Sequence, residues 1–279
     1  MLSTPDEEGP LGVQLLANEE ESLRRALDTV RSCGFGVIDL NAACPVPKIT
    51  QKGKGAALLN DPAKVKSLLE VLVKHSEAPV TVKIRAGWDK DTVNARDVAL
   101  HAEDAGISAL TIHGRTREQG YGGRVDYGII SEVKKVLSVP VIASGDALSP
   151  QLIGRMFNET GCDAVAIARG SLGNPWIFRD AGSYLDKGSV PDRPLPGEIV
   201  DVMRRHLDLN CVFYGEKRGT VLFRKLFSWY VKGLCDVRPL KEEAFRAQTK
   251  ERMVCLIEEI RNFAYRHPAG NYEGFALSC

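Results

Sequence analysis

A thiol stands in Asn41-Ala42-Ala43-Cys44-Pro45, an ammonium in Thr81-Val82-Lys83-Ile84-Arg85, and an imidazole with two guanidiniums in His113-Gly114-Arg115-Thr116-Arg117. With an ordinary pKa of about 8.5, a thiol can donate a proton near neutrality, and Pro45 fixes the chain beside Cys44 and so aims it. The same cysteine would serve equally as a small core residue. Lys83 alternates with Val82 and Ile84. If that apolar pair packs under helices, the ammonium points to the opposite face, where it needs a carboxylate in an internal salt bridge or a bound anion. Ser144-Gly145-Asp146 and Ala168-Arg169-Gly170 add small residues, free backbone amides and one more cation, a composition suited to phosphate. The plainer reading is a glycine turn with a surface arginine. Together His113, Arg115, Lys83 and Arg169 would clasp a phosphorylated electron acceptor. Flavin mononucleotide fits, with Arg169 and amides on the phosphate and Lys83 beside the ring's N1–C2=O edge, where a cation favours the anionic reduced form.

These groups share one structural position. Short β-branched runs at 12–16, 37–41, 80–85, 109–113, 139–143 and 164–168 alternate with helix-like stretches at 20–33, 62–75, 94–105 and 126–137. That order predicts a parallel sheet covered by helices. Asn41, Cys44, Lys83, Arg85, His113, Arg115, Ser144, Asp146 and Arg169 all end or follow a strand, the edge that carries the site of a (β/α)8 TIM-type barrel. A G-x-G-x-x-G turn after a strand, the mark of a doubly wound dinucleotide fold, does not occur. Six strands are visible where closure takes about eight, so a barrel with about six of its eight strands is expected. A Pro/Gly-rich linker at 192–197 then leads into helical periodicity at 198–214, 219–234 and 241–262. The expected division is a barrel over 1–190, an α-helical bundle over 195–265, and a tail over 266–279.

Composition narrows the function. With 44% hydrophobic and 26% charged residues, a disordered or low-complexity chain is excluded. No apolar run approaches the roughly 18 residues of a membrane span, and the acidic Met1–Glu8 stretch lacks the apolar core of a secretory signal. A cytoplasmic protein with no membrane partner is expected. The cysteines at 33, 44, 162, 211, 235, 255 and 279 are odd in number and form no C-x-x-C pair, so they read as reduced thiols, with no metal site. Residues 203–252 hold twelve Lys/Arg against six Asp/Glu, in a chain whose total charge is only +1. That excess suits a polyanionic partner, or a solvated helix surface with none.

Six collinear segments then fall into place: Asp39–Pro45, Lys52–Leu59, Val82–Trp88, Leu110–Arg117, Val141–Asp146 and Asn174–Phe178. Together they resemble the tRNA-dihydrouridine synthases, most closely the bacterial B type. The resemblance implies an FMN enzyme that reduces the C5=C6 bond of uridines in tRNA, with NADPH recharging the flavin. Hydride would pass from flavin N5 to C6, and the proton for C5 would come from a cysteine aligned with Cys44. It further implies that Asn41 orients the uracil, and that Gln14, Lys83, His113, Ser144, Gly145, Asp146, Ala168 and Arg169 contact the flavin. Ser144 stands where Asn is common, and Ala168 where Gly is common. Arg115 is expected to meet substrate, and Arg224 and Lys225 to meet tRNA phosphates from the basic bundle; Trp229 and Tyr230 read as core or as RNA-stacking residues. The family's barrel opens with a strand ending in a Pro-Met-Ala-Gly-type turn, and this chain is expected to lack that N-terminal segment. A monomer is expected. Two other readings stay open: a flavin barrel acting on a free pyrimidine, and an RNA-binding remnant with impaired catalysis.

Overall fold

The β-branched runs form six strands: β1 (Gly12–Leu15), β2 (Val37–Asn41), β3 (Val80–Arg85), β4 (Ala109–His113), β5 (Val141–Ser144) and β6 (Ala164–Ala166). All pair in parallel with their neighbours in sequence, in one sheet ordered β1 to β6. The helices between them are α1 (Glu20–Val30), α2 (Pro47–Thr50), α3 (Pro62–His75), α4 (Ala95–Asp104), α5 (Tyr127–Val136) and α6 (Pro150–Thr160). This is an α/β fold of the TIM-barrel type. The computed structural model describes residues 11–263; the acidic Met1–Glu8 stretch, the expected 266–279 tail and Cys279 lie outside the described residues.

Alternation along the strands decides what is buried. Leu40, Val82, Ile84, Leu110, Ile112 and Val141 are fully enclosed and pack with helix residues such as Leu23, Leu68, Leu72 and Val133. Each such side chain contributes about 1.5–3 kcal/mol relative to exposure. The other parity, Asp39, Asn41, Thr81, Lys83 and Thr111, is only half-buried and leaves a polar face. Helix starts are set locally. Asp61 accepts from Lys64 N at 3.0 Å ahead of Pro62, and Asp126 accepts from Ile129 N at 3.2 Å.

Strand limits differ from expectation in β1, which ends at Leu15, in β5, which runs on to Ser144, and at two further points. β5 begins at Val141 because Pro140 has no N–H for the ladder, although its carbonyl accepts from Leu110 N at 3.0 Å. β6 ends at Ala166, and Ala168, at φ −113° and ψ −87°, has left the extended region.

The chain divides into two compact units, Met1–Ala147 with Arg155–Ile167, and Leu148–Gly154 with Ala168–Cys279. The second contains α7 (Ile177–Lys187), α8 (Pro196–Tyr214), α9 (Glu216–Tyr230), α10 (Arg238–Arg246) and α11 (Lys250–Glu259), around a core that includes Met203, Leu207, Phe223, Phe227 and Leu256. The single helix expected over 241–262 is two helices. Ala247 turns out of helical geometry, Thr249 Oγ1 accepts from Arg252 N at 3.3 Å to start α11, and Arg224 donates to the Ala247 carbonyl at 2.9 and 2.6 Å. A cap and a carbonyl satisfied from outside defeat a continuous period. Tyr230 belongs to this core, with its hydroxyl 3.0 Å from His206 Nδ1, and burial pushes its pKa up to about 12. Trp229 is half-buried. No helix among the described residues is long and apolar enough to cross a membrane.

Candidate active site

Strand register stacks the polar face of the first unit in layers. Gln14, Asp39 and Thr81 lie side by side on β1, β2 and β3; Asn41, Lys83 and Thr111 form the next layer; Arg85, His113 and Ser144 form the layer at the C-terminal edge. Period-two alternation brings them together.

Cys44 sits half-buried, with a free thiol, on the loop after β2. Asn41 Oδ1 accepts from Ala43 N at 3.0 Å and Cys44 N at 2.9 Å, while Asn41 Nδ2 donates to Gln14 Oε1 at 2.6 Å. From the other side Ala56 N donates to the Cys44 carbonyl at 3.0 Å. Gly55 (φ +61°) is required there, since a Cβ would lie 2.8 Å from that oxygen and 2.9 Å from Cys44 Cβ. Arg85 adds a third tie. Its Nε donates to the Ala43 carbonyl at 2.7 Å, and Nη1 donates to the carbonyls of Thr116 and Gly120, both at 2.9 Å. Burial lowers the Arg85 pKa, but a guanidinium stays charged in proteins, and here the carbonyls replace its water.

His113 is neutral. Burial foremost, then the positive charges of Arg85, Arg115 and Lys83, push its pKa down to about 3 against the opposing pull of Asp146. Arg115 Nη1 lies 3.2 Å from His113 Nε2; an arginine can only donate, so Nε2 accepts and the ring proton is on Nδ1. Gly145, at φ +114°, packs against the ring so closely that a Cβ would lie 2.6 Å from His113 Cδ2.

Arg115 has a different task from the one expected of it. It is 2% exposed, and its guanidinium donates to both Asp146 oxygens, at 3.1 and 2.6 Å, and to the carbonyls of Gly122 and Gly123 at 2.9 and 2.7 Å. Those bonds hold Asp146 in the left-handed region, at φ +51°. In this structure the side chain is a tie between loops. Arg224 donates from Nε and Nη2 to the Ala247 carbonyl and is half-buried. Lys225 is exposed, its ammonium 5.0 Å from the centre of the Trp229 ring. Ser144 is buried at the same edge as His113, and Ala168 and Arg169 open a short 3-10 turn in the second unit.

Two residues of the face make ties that the sequence alone does not assign, Asp39 and Arg85, the latter expected only as one of the residues at the strand edge. Both carried a signal: each is charged, and each shares strand parity with a candidate two residues away, Asn41 and Lys83. Asp39 accepts from Gln14 Nε2 at 2.7 Å and Thr81 Oγ1 at 2.6 Å; burial raises its pKa, and those two bonds and the Lys83 charge oppose the rise.

The face suits a planar, electron-accepting heterocycle with an anionic tail. Lys83 has no hydrogen-bond or ion-pair partner among the described residues, and His113 offers a fixed Nδ1–H. A barrel with polar groups gathered at the C-terminal strand edge, and a positioned thiol among them, defines a barrel enzyme.

The family model described as dihydrouridine synthase (Dus) matches residues 1–264, and the chain belongs to that family. It is similar to tRNA-dihydrouridine synthase B of Pasteurella multocida, with 39% identity over 91% of this chain and 77% of the relative. It is similar also to tRNA-dihydrouridine synthase B of Pseudomonas aeruginosa, with 38% identity over 95% of this chain and 79% of the relative. Forming dihydrouridine from uridine is a reduction, so the chain is an oxidoreductase.

Proposed function

We propose that this chain reduces the C5=C6 bond of uridine in tRNA to 5,6-dihydrouridine, with FMN as its flavin and NADPH as reductant. The observation that carries the reading is the Cys44 loop, its backbone held by Asn41, Gly55 and Arg85 after a strand of the same sheet that carries Lys83 and His113, in a chain of the dihydrouridine synthase family. Gln14, Lys83 and His113 would hold the flavin ring, and the backbone of Ser144-Gly145-Asp146 its phosphate.

When bound and recharged by NADPH, the flavin supplies the hydride that adds to uracil C6. Addition at C6 leaves negative charge on C5 and O4, and Cys44 meets it by donating the thiol proton to C5. Asn41 has spent its oxygen on two backbone amides and one amide hydrogen on Gln14; the remaining hydrogen is the donor left for a uracil carbonyl. Lys83 places positive charge on this face, and His113 remains a neutral donor at any working pH. The target base must leave the RNA stack to reach these groups. Lys225 contributes to holding the tRNA backbone.

The test is Cys44→Ala. Flavin content should match the wild type while dihydrouridine formation on tRNA falls about 10²- to 10⁴-fold, the usual share of a positioned proton donor. Retained multiple turnover removes Cys44 from its role. Free uridine reduced as fast as tRNA would favour a free pyrimidine as substrate, and a colourless protein that refuses added FMN would overturn the flavin reading.

A further inference from the structure

We infer that Asp39 is a positioning residue for this reduction: through Gln14 it fixes the orientation of the Asn41 amide, and through Asn41 the loop that aims Cys44. The inference rests on the roles proposed above for Asn41 and Cys44.

An amide can sit in two orientations of nearly equal shape, with oxygen and nitrogen exchanged, and only its partners decide between them. At the upper end of the chain of contacts the N–H groups of Ala43 and Cys44 can only donate, so Asn41 turns Oδ1 to them, at 3.0 and 2.9 Å. Its Nδ2 then faces Gln14, which must offer Oε1, at 2.6 Å. That in turn directs Gln14 Nε2 to Asp39, at 2.7 Å. An ionised carboxylate can only accept, and Asp39 does so from Gln14 and, at 2.6 Å, from Thr81 Oγ1. Each link determines the next, and a flip at either amide sets donor against donor. Register supports the geometry, since Gln14, Asp39 and Thr81 are direct neighbours on three strands.

Asp39 also feels the charge of Lys83, so a counter-ion role is the competing explanation. Substitution separates the two. Asp39→Asn removes the charge but can keep the relay, because its new carbonyl accepts from Gln14 and its new amide donates to Thr81 Oγ1. Asp39→Leu removes both.

The experiment measures kcat and KM for dihydrouridine formation on tRNA, with flavin content. Asp39→Leu should lower kcat per bound flavin about tenfold or more, the effect of losing one charge-assisted hydrogen bond, with the KM for tRNA within about twofold. Asp39→Asn should retain kcat within about threefold of the wild type, a cost short of a lost hydrogen bond. Thr81→Val combined with Asp39→Asn leaves the new amide free to flip, and should fall about tenfold below Asp39→Asn although Thr81→Val alone changes little. The inference is overturned if Asp39→Leu keeps its kcat, or if Asp39→Asn falls as far as Asp39→Leu. Should Asp39→Leu fail to fold, additivity between Thr81→Val and Asp39→Asn overturns it. A wild-type protein inactive on tRNA overturns the functional reading alone. The relay is then read from the rate of Cys44 alkylation by iodoacetamide, followed by peptide mass. Asp39→Asn with Thr81→Val should raise that rate and Asp39→Asn alone should not; an equal rate in both overturns the relay.

Discussion

Cations in the two units of this chain do different things. In the first unit Arg85 and Arg115, each 2% exposed, spend their guanidiniums on loop carbonyls and, for Arg115, on Asp146. In the second unit Lys250 meets Asp208 at 2.7 Å, and Arg204 and Arg261 share Glu258 at 2.7 and 2.8 Å, all in contact with water. The first kind holds loops together, because a buried guanidinium must be matched on nearly every N–H or it is not tolerated. The second kind is worth about 0–1 kcal/mol per pair, and acts chiefly through the summed field of the basic segment. A cation is architecture where it is buried and surface potential where it is exposed.

Breaking that contrast begins with Arg115→Met. It leaves Asp146, in a left-handed conformation, without its bidentate partner, and frees the carbonyls of Gly122 and Gly123. Removing one member of a fully buried pair costs about 3–5 kcal/mol; with Asp146 28% exposed the loss should fall below that but above about 1 kcal/mol, which urea denaturation would register as a drop in midpoint. A loss under about 1 kcal/mol would place Arg115 with the exposed pairs of the bundle.

The next effect depends on pH. The pKa of His113 is about 3 in the folded chain against an ordinary value of 6.5. Between those values the unfolded chain binds the extra proton, so stability is intact above about 6.5 and is lost as pH falls toward 3. At pH 5 the loss is about 2 kcal/mol, from roughly 1.4 kcal/mol per pH unit. His113→Gln can still accept from Arg115 but does not titrate, so its stability should fall less steeply over that window. Equal slopes in both proteins would mean that His113 is not held neutral by burial and its cationic surroundings.

These two residues also show what could be read in advance. Parity alone put Lys83 opposite Val82 and Ile84, and the helix expected over 62–75 forms over those residues, because both follow from local alternation and capping. The Arg115–Asp146 pair was not legible: a basic loop and an acidic turn were each visible, but their meeting depends on two strands lying side by side. Arg115 in isolation therefore looked like a ligand contact. The break between α10 and α11 was hidden for the same reason, since Arg224 reaches Ala247 from another helix. Asp39 was visible as a charge in an apolar strand, yet its meaning depends on partners on both neighbouring strands.

The smallest effects test the bundle. Lys225 is exposed, touches the Trp229 ring and has no carboxylate partner among the described residues, whereas its neighbour Arg224 is half-buried and donates to a carbonyl. Lys225→Ala should therefore leave stability within about 1 kcal/mol, the scale of an exposed cation–π contact. It should weaken tRNA binding alike for all sequences and reduce the slope of log affinity against log salt by about 0.7–0.9, the release of one counterion. Arg224→Ala should do the reverse, costing about 1–3 kcal/mol of stability through the unsatisfied Ala247 carbonyl while moving the salt slope little. If instead Arg224→Ala shifts the slope and spares stability, its contact with Ala247 yields to phosphate, and the division between cations that build and cations that attract runs through α9 at a different residue.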